Sequence, residues 1–275
     1  MTSAAVPAIT SAGTASSASA AKLQMHREGA VLVLTISNPA ARNTVNPSIY
    51  RAAAKAIRAA SRFRTVRAIV LTGEGEHFCV GGDLRRLVRQ RKLPQSEQLA
   101  HSDALNEWVM AMQEAPQPVI AAVEGTAAGS GFSLCLACDL IVAAEDAEFV
   151  MSNVNFGLSI DGGGTDSLAR SLPPQAVIEI LLGGSVHHAR RLHDWGVVNR
   201  IVPRGTAYAT ALAWAQKLAQ GPFDVQARIK ELVHSARGRS RREQLDAERG
   251  VLVESLYSDE SGKRIKEFLA ARKKG

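Results

Sequence analysis

Two kinds of run alternate along this chain. "AVLVLTIS" (30–37), "VRAIVLTG" (66–73), "PVIAAVEG" (118–125) and "LIVAAE" (140–145) are short, almost wholly apolar and rich in Val and Ile. Runs with no polar face predict strands buried on both sides, as in a parallel sheet covered by helices. Between them lie stretches with helical spacing. "PSIYRAAAKAIRAASRF" (47–63) puts Ala and Ile on one face, and "DLRRLVRQ" (83–90) follows the next strand. "SEQLAHSDALNEWVMAMQEA" (96–115) is stopped by Pro116 and Pro118, and "GSGFSLCLACD" (129–139) is a short apolar helix. Alternation of strand and helix predicts an α/β fold. Past residue 200 the pattern changes. "GTAYATALAWAQKLAQG", "FDVQARIKELVHSA", "RREQLDAERGVLVESLY" and "ESGKRIKEFLAARKK" are consecutive helical stretches with no strand between them. The division expected is a leader over 1–21, an α/β core over 22–202 and a helical region over 203–275. Leu, Val and Tyr in the third helical stretch predict that it packs on something, such as another subunit.

Composition narrows the function classes. At 275 residues the chain suits one large domain with a full core. The first twenty residues are mostly Ala, Ser and Thr with no positive charge, which fits neither a secretory signal nor a transit peptide and predicts a disordered leader. No apolar run is long enough to cross a bilayer, and three cysteines suit a reducing cytoplasm better than a disulfide framework. The net charge of +7 favours anionic partners. Its basic clusters, "RRLVRQRK" (85–92), "RGRSRR" (237–242) and "ARKKG" at the end, read as solvated helix faces. With aromatics at 5%, stacking platforms for nucleic acid are missing, so neither nucleic acid nor membrane is an expected partner.

Two segments carry glycines at a strand–helix junction, "EHFCVGGDLRRL" (76–87) and "EGTAAGSGFSLCLACDL" (124–140). Backbone N–H groups at a helix start favour negative charge. Two such junctions aimed at one oxygen would form an oxyanion hole. A third segment, "NFGLSIDGGGTDSLAR" (155–170), sets Asp161 between an apolar tripeptide and three glycines. On its own Asp161 fits two roles, an Asx-turn or a proton-transfer carboxylate in an apolar, glycine-lined pocket.

The order of "HFCVGGDL", "PVIAAVEGTAAGSGFSLCLACDL", "GLSIDGGG" and "WGVVNRIV" resembles the crotonase superfamily, the enoyl-CoA hydratase/isomerase family, over roughly residues 25–275. The resemblance implies a spiral of ββα repeats with a helical C-terminal region that trimerises, giving a homotrimer or a hexamer built as a dimer of trimers. It implies an acyl-CoA thioester as substrate, with coenzyme A part of that substrate and no separate cofactor. The thioester oxygen would sit between the backbone N–H groups of Gly82 and Ser130, flanked by Gly81, Gly129 and Gly131. Ser130 departs from the family's glycine triplet, but a backbone donor survives any side chain except proline. Arg42, in "NPAARNTVN" (38–46), matches a loop that lines the coenzyme A site. Hydratases of the family use two glutamates, and those positions fall on Ser133 and Asn153, which leaves them as substrate-lining residues without a carboxylate. Asp161 matches the position where isomerase-like and naphthoate synthase-like members carry a catalytic aspartate and dehalogenase-like members a nucleophile. The expected reaction is therefore enoyl-CoA isomerisation, with Asp161 shuttling the proton. Hydration or ring-opening and ring-closing by the same acid is the alternative. A non-catalytic acyl-CoA-binding protein is a further alternative, opposed by the acid at 161.

Several other residues carry expectations. Cys135 and Cys138 form a C-x-x-C without a second ligand pair, so they read as small core residues and no metal is expected. "VHH" (186–188) with His193 reads as the start of a surface helix. Glu124 is a reserve acid expected to face away at a strand end, Asp166 a helix cap or dipole partner, and Asp83 and Asp139 caps of the glycine junctions.

Overall fold

The computed structural model describes residues 21–272, so the leader lies outside the described residues apart from Ala21. The chain opens with β1 (Lys22–Glu28), turns at Gly29 and Ala30, and pairs back on β2 (Val31–Ser37) as an antiparallel hairpin. Gly29 takes φ +64, a conformation that suits glycine. Then come α1 (Pro47–Ala60), β3 (Ala68–Gly73), α2 (Leu84–Gln90), α3 (Gln95–Glu114), β4 (Val119–Val123), β5 (Thr126–Ala128), α4 (Ser130–Ala137), β6 (Leu140–Ala144) and β7 (Glu148–Val150). After them follow α5 (Gly164–Ser171), α6 (Pro174–Gly183), β8 (Val186–His188), α7 (Ala189–Asp194) and β9 (Arg200–Val202).

The large sheet has the order β1-β2-β3-β4-β6-β9, parallel from β2 onward, and the small one the order β5-β7-β8. The repeat is visible in this connectivity. Each of β4 and β6 leaves the large sheet directly into a strand of the small one, β5 and β7, before a helix begins. The segment after β3 does the same through a bridge between Cys79 and Ala127. A strand in each sheet followed by a helix, repeated and displaced, is a ββα spiral.

Side-chain alternation explains why the strands read as continuous apolar runs. Val33, Val70, Ile120 and Val142 face one side of the large sheet, and Leu34, Leu71, Ala121 and Ile141 the other. Both sides are covered. Helices α1 and α3, with α4, close the second side around Trp108, Phe132 and Ile57. The first side is covered by α8 (Ala207–Ala219), where Ala207, Ala211 and Ala215 recur every fourth residue and bring the helix axis close to the strands. Helix α8, the first of the expected helical region, thus shares the packing of the large sheet. The helices α9 (Phe223–Ser235), α10 (Arg241–Leu256) and α11 (Asp259–Arg272) extend from it, and α10 and α11 bury no residue in the single chain.

Local chemistry fixes the ends. Asn46 caps α1, its Oδ1 accepting from Ser48 N at 2.9 Å and Ile49 N at 3.2 Å, with Pro47 at the first helical position. Ser240 and Glu243 form a capping box at α10. No helix among the described residues is long and apolar enough to cross a membrane.

Candidate active site

The two glycine junctions meet. A Cβ on Gly81 would lie 2.8 Å from Ala128 O and 3.3 Å from Ser130 N, so only glycine lets the first segment lie against the second. Gly81 has φ +84. The pairing is fixed on both sides: Ala128 N donates to Cys79 O at 2.9 Å, and Val45 N donates to Gly81 O at 2.9 Å. Gly82 follows, exposed, and Ser130 is the first residue of α4. Among the described residues no loop or turn carbonyl takes either the Gly82 or the Ser130 N–H. Ser130 has ordinary helical angles, since the unusual backbone falls on Gly129 at φ +52. The serine therefore replaces a glycine without strain.

The Asp161 loop packs onto α4 from the other side. Ser133 is fully buried, and its hydroxyl donates to Asp161 O at 2.8 Å. Gly162, at φ +63, would place a Cβ 3.1 Å from both Leu105 Cδ2 and Ser133 Cβ, and one on Gly164 would lie 2.9 Å from Ser133 Oγ. The glycines after Asp161 thus serve close approach as well as turning. Asn153 Nδ2 donates to Ser159 O at 3.0 Å, two residues before the acid. So Ser133 and Asn153 both buttress the loop bearing Asp161. Burial raises the Asp161 carboxyl above its ordinary value, partly offset by a hydrogen bond from its own backbone. The residue nonetheless keeps an exposed edge in the isolated chain.

Gly131 and Ser133, expected to line the substrate, face the protein interior. A Cβ on Gly131 would fall 2.1 Å from Cys79 O. Gly129 borders Asn153, whose Oδ1 would be 3.3 Å from a Cβ there. Arg42 is exposed, in the left-handed region at φ 49, on a loop held by the buried Asn43. Asn43 Nδ2 donates to Glu74 O at 2.9 Å and to His77 O at 2.6 Å. Arg42 lines a recess of about 390 Å³ with Pro39, Glu76 and His77. The larger concavity, about 610 Å³ between α1 and α3, contains neither glycine junction nor Asp161. Its size reflects an open groove rather than the chemistry.

The remaining candidates resolve structurally. Glu124 caps α8, accepting from Gly205 N at 3.0 Å and Ala207 N at 2.9 Å. Asp166 stands in the first turn of α5 and pairs with Arg170. Asp83 caps α2, accepting from Arg85 N at 2.9 Å. Asp139 accepts from Val119 N at 2.8 Å and pairs with Lys230 at 2.7 Å, tying α9 to the sheet. Cys135 and Cys138 are free and buried. "VHH" departs from expectation: it is β8, antiparallel to β7, with His187 buried opposite Phe149. Its inward side is set by strand alternation, and α7 starts only at Ala189.

The motif reading missed Tyr50. This residue of α1 is 7% exposed and packs on Trp108, with ring centroids 6.1 Å apart. Its hydroxyl lies within electrostatic reach of Asp161 and Arg86, and burial above all raises it, keeping it a neutral phenol. Its spacing with Ala53, Ala54 and Ile57 reads as ordinary core, so only the fold reveals it.

These features define an α/β spiral whose two glycine junctions are packed together, with the Asp161 loop against the helix that begins at the second. A family model described as enoyl-CoA hydratase/isomerase matches residues 26–275. The 1,2-epoxyphenylacetyl-CoA isomerase of Escherichia coli (strain K12) is 33% identical over 248 residues, covering 90% of this chain and 95% of that protein. The 2,3-dehydroadipyl-CoA hydratase of the same bacterium is 30% identical, covering 78% and 82%. The crystal structure of an enoyl-CoA hydratase from Polaromonas sp. JS666 superposes with a TM-score of 0.89 at 44% identity, covering 90% of this chain and 97% of that one. The chain belongs to the enoyl-CoA hydratase/isomerase family and has the crotonase fold.

Proposed function

We propose that this protein shifts the double bond of an unsaturated acyl-CoA, with Asp161 carrying the proton. The observation that carries the reading is the Asp161 carboxyl, raised by partial burial on a loop anchored by Ser133, itself at a position where a hydratase would have an acid. The thioester oxygen accepts from the Gly82 and Ser130 N–H groups. Asp161 takes a proton from the carbon next to the unsaturated system, and the electron pair left behind delocalises onto that oxygen. The same carboxyl returns the proton to the other end of the system and restores the thioester carbonyl. Preorganised donors stabilise the developing charge without reorganisation, and a raised carboxyl is a stronger base, nearer the working pH. Hydration by the same acid is the second reading, favoured by the relatives named as hydratases. No cofactor beyond the coenzyme A of the substrate is needed.

The apolar side chains left exposed on α10 and α11, among them Leu252, Leu256, Phe268 and Leu269, support a trimer or a pair of trimers. Incubating the enzyme with a panel of unsaturated acyl-CoAs in deuterated water tests the function. Isomerisation gives a product of the substrate's formula with its double bond moved, read by chromatography and mass spectrometry, and deuterium enters only as far as the Asp161 carboxyl exchanges its proton with solvent before returning it. Addition of one water across the double bond as the only product would overturn isomerisation in favour of hydration.

A further inference from the structure

Beside the catalytic loop lies a cation with no counter-charge. Arg86 projects from α2 and is half-buried. Its Nη2 lies 3.3 Å from Nδ1 and 3.4 Å from Nε2 of His101 on α3, and the Gln90 amide closes on the same imidazole at 2.5 Å. Turned to match donors with acceptors, that amide puts its oxygen 3.0 Å from Arg86 Nη2. All of these partners are neutral or cationic. Of the acids around this cluster, Asp83 is committed elsewhere, capping α2 and standing 3.9 Å from Arg89, and Glu97 faces His101 without pairing with Arg86. Arg51 and Arg89 add positive charge around Arg86, while Tyr50 and Asp83 are the groups favouring its charged form. His101 faces Arg86, Arg51 and Glu97. Among the described residues no carboxylate forms an ion pair with Arg86. A half-buried guanidinium in such surroundings calls for an anion.

Position says which anion. His101 precedes Leu105 by one turn of α3, and Leu105 packs against Gly162, the residue after Asp161. One turn rises about 5.4 Å. Tyr50 lies within electrostatic reach of both Asp161 and Arg86. His101 and Leu105 share one face of α3, so the guanidinium lies along the face of α3 that meets the Asp161 loop. We infer that Arg86 and His101 form a subsite for a carboxylate at the far end of the acyl chain, so that the substrate is the coenzyme A thioester of a dicarboxylic acid. The guanidinium donates two parallel hydrogen bonds to the carboxylate, in the fork geometry arginine offers. This rests on the acyl-CoA reading above.

Two saturated, unreactive probes of equal chain length test it by calorimetry: adipyl-CoA, with a terminal carboxylate, and hexanoyl-CoA, without one. The native protein binds adipyl-CoA more tightly by about ten- to a hundredfold, the worth of hydrogen bonds to a charged group. In Arg86→Met the ratio of the two affinities collapses toward one, and in Arg86→Lys part of the preference remains. Equal affinities in the native protein would overturn the subsite while leaving the acyl-CoA reading intact. An equal loss for both probes in Arg86→Met would also overturn it, by assigning Arg86 to the coenzyme A moiety. Failure of both probes to bind the native protein would remove the acyl-CoA reading and the subsite with it.

Discussion

Substituting Gly131 by alanine probes how the two backbone donors are held. The new Cβ would stand 2.1 Å from Cys79 O, 2.8 Å from Cys79 C and 3.0 Å from Cys79 Cβ. Ordinary contact begins near 3.4 Å, so the surfaces must part by more than an ångström. Cys79 has little freedom to give way, because its N–H donates to Thr126 O at 3.2 Å and its carbonyl accepts from Ala128 N at 2.9 Å. The wedge therefore opens between the segment leading to Gly82 and the helix that starts at Ser130, which separates the two N–H donors. Overpacking of this kind costs about 1–3 kcal/mol, a fall in Tm of several degrees at about 2–4 °C per kcal/mol for a chain of this size. A misplacement of about 1 Å at reacting groups costs about a hundredfold in rate. Thermal unfolding and steady-state turnover of Gly131→Ala read both effects. Gly82→Ala is the steric control: its Cβ meets nothing within 4 Å and its φ is not left-handed, so its Tm stays at the wild-type value. Wild-type Tm and turnover in Gly131→Ala would refute the claim that this contact sets the donor spacing.

The other predictions concern charge. Glu124→Ala removes the cap of α8 and lowers stability by about 1 kcal/mol in urea unfolding, with turnover unchanged, as befits a cap rather than a reserve acid. Lys230→Met takes the lysine from a half-buried Asp139 carboxylate that keeps Val119 N at 2.8 Å and His234 Nε2 at 2.9 Å, the ion pair having side chains only 9% and 16% exposed; the loss expected is about 1–3 kcal/mol, read by the same unfolding curves. Burial raises the Asp161 carboxyl in the folded state, so ionising it costs stability as pH rises toward the folded value, and no cost exists below the ordinary carboxylate range. Asp161→Asn accordingly melts higher than wild type at neutral pH, and the difference closes as pH falls below about 4.

Burial on two faces made the central strands legible, because β2, β3, β4 and β6 are apolar at nearly every position, Thr35, Ser37 and Thr72 being the exceptions toward strand ends. By contrast β1, "KLQMHRE", is almost wholly exposed and carries no such signal; it exists through its register with β2. The strands β5, β7 and β8 span three residues each, too short for periodicity, so nothing local marks His187 as buried. The helical spacing of Ala207, Ala211 and Ala215 identified α8, but not the sheet it covers. At the site, the glycine junctions and Asp161 were legible from motif order. The roles of Ser133 and Asn153 were not: Ser133 reaches Asp161 across 28 residues, a contact that no local pattern encodes. Tyr50 and Arg86 sat in helical spacing that reads equally well as core and as solvated face.

The central claim is that Asp161 is the proton carrier, and Asp161→Asn tests it most directly. Asparagine keeps the size of the side chain and forms Asx-turns as readily as aspartate, so the loop, the Ser133 hydrogen bond and the donor cleft persist. Turnover on the unsaturated acyl-CoA that the native enzyme converts best is measured alongside affinity for coenzyme A. The account predicts a fall in turnover of at least about a hundredfold with affinity little changed. An Asp161→Asn enzyme that turns over at the native rate would contradict it.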